Sequence, residues 1–162
     1  MSQVQPGTQP SPPLPPPRRP PLDRREELLH GVGADLVAAA PQGWHRIDLK
    51  FWSTIAVSHS SLTVLKAGGE MVAVTVPRTI GNALREVRGL MYEEGRGTWF
   101  SSRYTLDPPQ EYRVLFNYDR DPNWSPGIAP SAWAADLEHF PRDAEHVPDW
   151  LRARLAEPPA EY

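Results

Sequence analysis

Trp44-His45-Arg46-Ile47-Asp48-Leu49-Lys50-Phe51 is the stretch that decides the fold, because within it the hydrophobic period becomes two. Ile47, Leu49 and Phe51 alternate with Arg46, Asp48 and Lys50, the pattern of a strand with one face buried and the other wet. The period continues downstream, where Ile55 and Val57 alternate with Thr54 and Ser58. Leu62, Val64 and the apolar run 71–76 then flank Ala67-Gly68-Gly69-Glu70, which reads as a hairpin turn. Hairpins of this kind predict antiparallel strands.

Upstream, the period is helical. Leu28, Leu29, Val32, Leu36 and Val37 recur on one face, and Pro41 with Gly43 ends the segment, so a helix is expected over 24–40. Asp23 and Glu26 have the spacing of an N-cap and its capping-box partner. Downstream, Pro77 opens a second helix with the stripe Ile80, Leu84, Val87 and Met91, leaving at Gly95 or Gly97. Two strands follow at 98–106 and 111–119, joined by Asp107-Pro108-Pro109-Gln110; in the second, Tyr112, Val114, Phe116 and Tyr118 share a face. Pro122, Pro126 and Pro130 impose a loop, and two short helices are expected around 131–140 and 148–156. The order predicts an α+β fold: an antiparallel sheet with an N-terminal helix, a central helix between strand groups and short C-terminal helices.

Nine of the 20 prolines lie between Pro6 and Pro21. Residues 1–22 therefore read as a proline-rich tail or linker favouring polyproline II, residues 23–156 as a single domain, and 157–162 as a C-terminal extension. Within the tail, Pro13-Leu14-Pro15-Pro16-Pro17-Arg18 fits the pattern read by SH3-type grooves, beside the plainer reading of a semi-rigid spacer. Residues 1–25 sum to +3, so the remainder carries −6 of the net charge of −3. An acidic domain repels phosphate backbones, which points away from nucleic acid and toward a basic protein surface. The chain has no cysteine, which excludes disulfides, thiolate nucleophiles and sulfur-rich zinc sites. With no signal-type apolar run near the start and no 18-residue apolar stretch, neither a membrane span nor export is expected, and a cytosolic location is.

The motifs for chemistry are missing. His139 and His146 sit among Asp136, Glu138, Asp143, Glu145 and Asp149, but no His-x3-His pair exists and Pro141 and Pro148 interrupt any common face. A solvated acidic turn is the expectation there, with no metal. His59 lies beside Ser58, Ser60 and Ser61, yet neighbours on a strand point to opposite faces. Gly68-Gly69 lacks the helix and Lys-Ser/Thr of a phosphate loop, and Glu93-Glu94 alone makes no acid–base pair. No cofactor is implied. The six tryptophans say more: Trp44 and Trp52 fall in phase with Arg46, Asp48 and Lys50, and Trp124 sits beside Asp121 and Asn123. Aromatics among acidic residues compose a binding hot spot, unless the C-terminal helices cover them.

Gly43-Trp-His-Arg-Ile-Asp-Leu49, Gly97-Thr-Trp-Phe100, Leu115-Phe-Asn-Tyr-Asp119 and Pro122-Asn-Trp124 resemble the YezG family of immunity proteins. Ala134-Ala-Asp-Leu-Glu-His-Phe-Pro141 and His146-Val-Pro-Asp-Trp150 are similar to its actinobacterial branch. The resemblance spans about residues 24–155 and leaves out the proline-rich tail. It implies a small cytosolic α+β domain that binds and occludes a cognate polymorphic toxin, of nuclease or NAD-hydrolysing type, without catalysis. Tyr118, Asp119, Asp121 and Trp124 would form the partner-facing patch, although Asn117 and Asp119 equally suit a strand end that caps its turn. Other readings stay open: an adaptor recruited through the tail, a regulatory piece of a toxin polypeptide, and a metal-independent hydrolase using carboxylates.

Overall fold

A computed structural model describes residue 7, residues 11–16 and residues 21–158. Most of the expected tail, the end of its SH3-type motif and most of the C-terminal extension lie outside the described residues. The chain runs α1 (Pro21–Ala39), β1 (Trp44–Ser53), β2 (Ser58–Lys66), β3 (Met71–Val74), α2 (Arg78–Leu90), β4 (Ser101–Asp107), β5 (Glu111–Asn117), α3 (Pro130–His139), a 3-10 turn (Ala144–His146) and α4 (Asp149–Ala156). The strands form one sheet in the order β3-β2-β1-β4-β5, each adjacent pair antiparallel, with β1 at the centre. The expected α+β architecture is the observed one.

Both long helices pack on one face of the sheet. Leu29, Val32 and Leu36 of α1 and Ile80, Leu84 and Val87 of α2 are buried against Ile47, Leu49, Phe51, Leu62, Val64, Tyr104 and Leu106. The spacings of three and four residues on the helices and two on the strands are what bring these side chains onto one interface. Burial of a side chain of this size contributes about 1.5–3 kcal/mol, so the layer is the main source of stability. A second cluster lies around Phe100, Trp133 and Leu151, with Trp124 and Trp150 at its margin. Its rings meet edge to face: Trp133 lies 5.8 Å from Phe100, 5.4 Å from Trp150 and 5.9 Å from Trp124. Neighbouring Trp99 and Phe100 serve one cluster each, as adjacent residues of extended chain must when both sides are covered.

Several boundaries differ from the sequence reading, each for a local reason. Helix α1 starts at Pro21, a residue preorganised for a first helical position, which puts Asp23 inside the first turn instead of at the cap. Trp44 does not share the face of Arg46: the register shifts between them, and Trp44 packs against the helix-side core. One inserted residue reverses every side chain beyond it. Ile55 and Val57 are exposed in the turn between β1 and β2 and belong to no strand. The Thr54 hydroxyl accepts the N–H groups of Ala56 and Val57, and the Asp136 carboxylate accepts that of Ile55, so the ladder loses its donors. Helix α2 stops at Leu90; Gly95 and Gly97, both at positive φ, form a separate tight loop closed by a Glu93–Gly97 bridge. The strand expected from residue 98 begins at Ser101.

Two glycines of α1 give a matched test of this packing. A Cβ on Gly33 would lie 2.7 Å from the Tyr104 hydroxyl oxygen, which donates to the Leu29 carbonyl at 2.8 Å. A Cβ on exposed Gly31 would meet nothing within 4 Å. Gly31→Ala should stabilise by about 0.4–1 kcal/mol through the unfolded chain. Gly33→Ala should destabilise by about 1–3 kcal/mol, because the buried Tyr104 ring, stacked on Tyr112, must shift and give up its bond to the Leu29 carbonyl. Urea denaturation of both variants checks this, and equal shifts in midpoint would contradict it.

Candidate binding surface

The face of the sheet opposite α1 and α2 carries the other phase of each strand: Arg46, Asp48, Lys50 and Trp52 on β1, Arg103 and Thr105 on β4, Arg113 and Leu115 on β5. Antiparallel sheets tolerate such a solvated face. Two bidentate ion pairs cross it. Arg46 reaches Asp107 at 2.8 and 3.1 Å, and Arg103 reaches Asp48 at 2.9 Å through both contacts. The Arg46 guanidinium holds the Asp107 carboxyl below the usual carboxylate range, and the hydrogen bonds to Asp48 push the Arg103 guanidinium up. Exposed pairs of this kind stabilise little and mainly fix side-chain positions.

At one end of this face the loop 117–122 rises to form a wall. Asn117 holds its turn, accepting from the Arg120 N–H at 2.9 Å and donating to the Arg120 carbonyl at 2.9 Å. Trp52 donates its indole N–H to the Pro122 carbonyl at 2.8 Å, and Trp150 donates to that of Asp119 at 2.8 Å. Arg142, its side chain 1% exposed, donates to the carbonyls of Thr98 and Tyr118, both at 2.7 Å, and lies 4.4 Å from the Phe100 ring. Burial pulls the Arg142 guanidinium down, yet a group that basic remains charged. Between wall and sheet is an open groove of about 530 Å³, lined among others by Lys50, Trp52, Arg103, Leu115, Tyr118 and Arg120.

The four sequence-derived residues divide between two places. Tyr118 and Asp119 line this groove. The Tyr118 hydroxyl donates to the Met91 carbonyl at 3.1 Å, and the Arg96 guanidinium covers its ring at 4.5 Å. Burial, then the Glu93 carboxylate, push that hydroxyl above its ordinary value. Asp119 is 63% exposed and within 4 Å of both Arg96 and Arg142. Asp121 and Trp124 line a different depression with Trp133 and Arg154. Asp121 accepts from the Asn123 N–H and lies 3.5 Å from Arg154, while Trp124 stacks edge-on to Trp133. Of the three tryptophans expected to be either exposed or covered by the C-terminal helices, Trp124 is partly covered by Trp133 of α3, Trp44 packs on the helix-side core, and Trp52 is held by the Pro122 carbonyl beside the groove.

Lys50, Arg103, Leu115 and Arg120 were not among the partner-facing residues expected from the sequence. The available signal was Leu115, an apolar residue out of phase with Tyr112, Val114 and Phe116 and 63% exposed. His59 lies across from Trp52, 5.5 Å between ring centres, with no nucleophile–base geometry. Among the described residues no group of three or more metal-ligating side chains comes together, and no helix is long and apolar enough to cross a membrane. No protein-family model matches this chain, and no curated protein is detectably similar to it.

Proposed function

We propose that this chain is a non-catalytic immunity protein of the YezG type, which binds and neutralises a cognate polymorphic toxin in the cytosol by occluding it. The observation that carries this reading is the sheet face left uncovered among the described residues, with its groove: a broad surface on which Arg46 and Arg103 are held by ion pairs and whose wall is tied down by Trp52, Arg142 and Trp150. A preorganised surface loses little entropy on association, which suits an inhibitor that must hold its target tightly. Asp119 is the best partner-facing candidate of the four, being 63% exposed and packed in neither hydrophobic cluster, although its carboxylate lies 3.7 Å from buried Arg142. Trp124 also packs the second cluster, so its removal reports on stability as well as on binding.

The test is co-expression with a toxin-domain gene adjacent to this one. Growth should be rescued by the full chain and by a version lacking residues 1–21. Asp119→Ala should weaken rescue, by removing a contact from the exposed rim of the groove to a basic group of the toxin, while leaving the folded yield unchanged. Continued toxicity alongside abundant folded protein would overturn the proposal.

A further inference from the structure

The acidity of the domain is not spread evenly. The groove is lined by four cations, Lys50, Arg96, Arg103 and Arg120, against a single carboxylate, Asp119. Arg103 is committed to Asp48, and Arg96 to Glu93 at 3.1 Å. Lys50 and Arg120 have no ion-pair partner among the described residues. Lys50 also stands directly across the strand from Arg103, a like-charge pairing that costs the free protein stability. Beside these cations lie the part-exposed ring of Trp52 and the Leu115 side chain, 63% exposed.

We infer that the groove receives an acidic, extended segment of a partner protein, with carboxylates meeting Lys50 and Arg120 and one apolar side chain lying on Leu115 and Trp52. This rests on the protein-binding reading above and reverses the charge expected from the acidic composition: the partner's docking element is negative here. Charge complementarity selects the occupant. An acidic segment supplies what Lys50 lacks and screens it from Arg103, whereas a neutral segment leaves that repulsion in place. A nucleic-acid strand fits less well, because binding through phosphates needs a track of several cations. Here two unpaired cations are bounded by Asp48 and Asp119.

The experiment uses the full chain, isotopically labelled, and three probes: the capped peptide Asp-Glu-Leu-Asp-Glu, its amide counterpart Asn-Gln-Leu-Asn-Gln, and a short oligothymidylate. Backbone amide shifts are followed at Lys50, Arg103, Leu115 and Arg120. The acidic peptide should give saturable shifts confined to these positions, and its affinity should fall by about tenfold for the neutral peptide. Lys50→Glu with Arg120→Glu should weaken it by at least about tenfold, and the paired glutamine substitutions by less, at a melting temperature no lower than that of the parent chain, since the Lys50–Arg103 repulsion is relieved in both. Equal binding of both peptides, shifts elsewhere, binding retained in the charge-reversed variant, or tighter binding of oligothymidylate at the same amides would each overturn the inference. Toxin rescue that survives the charge reversal would move the immunity surface elsewhere. Peptide binding without any toxin rescue would remove the immunity reading and leave the groove's ligand class standing.

Discussion

Asp136→Ala should destabilise the protein by about 3–5 kcal/mol, the largest effect expected of any single truncation here. Arg88 and Asp136 meet through two 2.7 Å hydrogen bonds with side chains 3% and 4% exposed. The guanidinium also donates to the Trp99 carbonyl at 2.7 Å and lies 5.1 Å from the Phe140 ring. The carboxylate accepts the Ile55 N–H as well, so one side chain ties α2, the β1–β2 turn and α3 together. Its removal leaves a buried cation without its counter-charge and orphans a backbone donor. The mechanism predicts non-additivity: Arg88→Met combined with Asp136→Leu should cost clearly less than the two single changes together. Chemical denaturation of the four proteins in that cycle is the measurement. A loss below about 1 kcal/mol for Asp136→Ala would mean that water reaches the pair.

Gly97→Ala comes second, at about 3 kcal/mol. Its φ of +83° lies in the left-handed region, where an added Cβ costs about 1–2 kcal/mol. That Cβ would also sit 2.5 Å from the Arg142 Nε and 2.7 Å from its Cγ. The clash is with the stem of a buried side chain, so the guanidinium cannot turn away and keep its bonds to Thr98 and Tyr118. Gly95 is the control: its φ is +81°, but its Cβ would meet the carboxylate end of exposed Asp143, which can swing into solvent. Gly95→Ala should therefore cost only the backbone strain. Similar midpoints for the two variants in urea would refute the bracing role given to Arg142.

The parts of this fold that could be read in advance are those set by neighbours in sequence. Ile47, Leu49 and Phe51 declare their strand, and Ile80, Leu84 and Val87 their helix, because a two- or 3.6-residue period needs no distant partner to be recognised. Trp44 was misplaced because a bulge leaves no mark in an alternating pattern. Ile55 and Val57 look like strand residues until Asp136, 81 positions from Ile55, takes a backbone donor. Arg88 was invisible for the same reason: an arginine beside an apolar stripe reads as solvent-facing, and its counter-charge is 48 residues away. The groove is still less local. Tyr118 and Asp119 were found through a motif, but Lys50 and Arg103 become neighbours only through the β1–β4 register, and Arg120 joins them only when loop 117–122 stands up beside the sheet.

The central position of β1 also has a consequence for how the chain assembles. Phe51 pairs with Ser60 on one side and with Ser102 on the other, the first within a hairpin and the second 51 positions along the chain. By the logarithmic law for loop closure, the second seam carries about 1.5 kcal/mol more entropic cost than the first. The β1–β2–β3 meander closes only short loops, whereas joining β4 and β5 to it closes one that contains α2. The groove straddles that costlier seam, so the surface offered to a partner depends on the most distant contacts of the sheet.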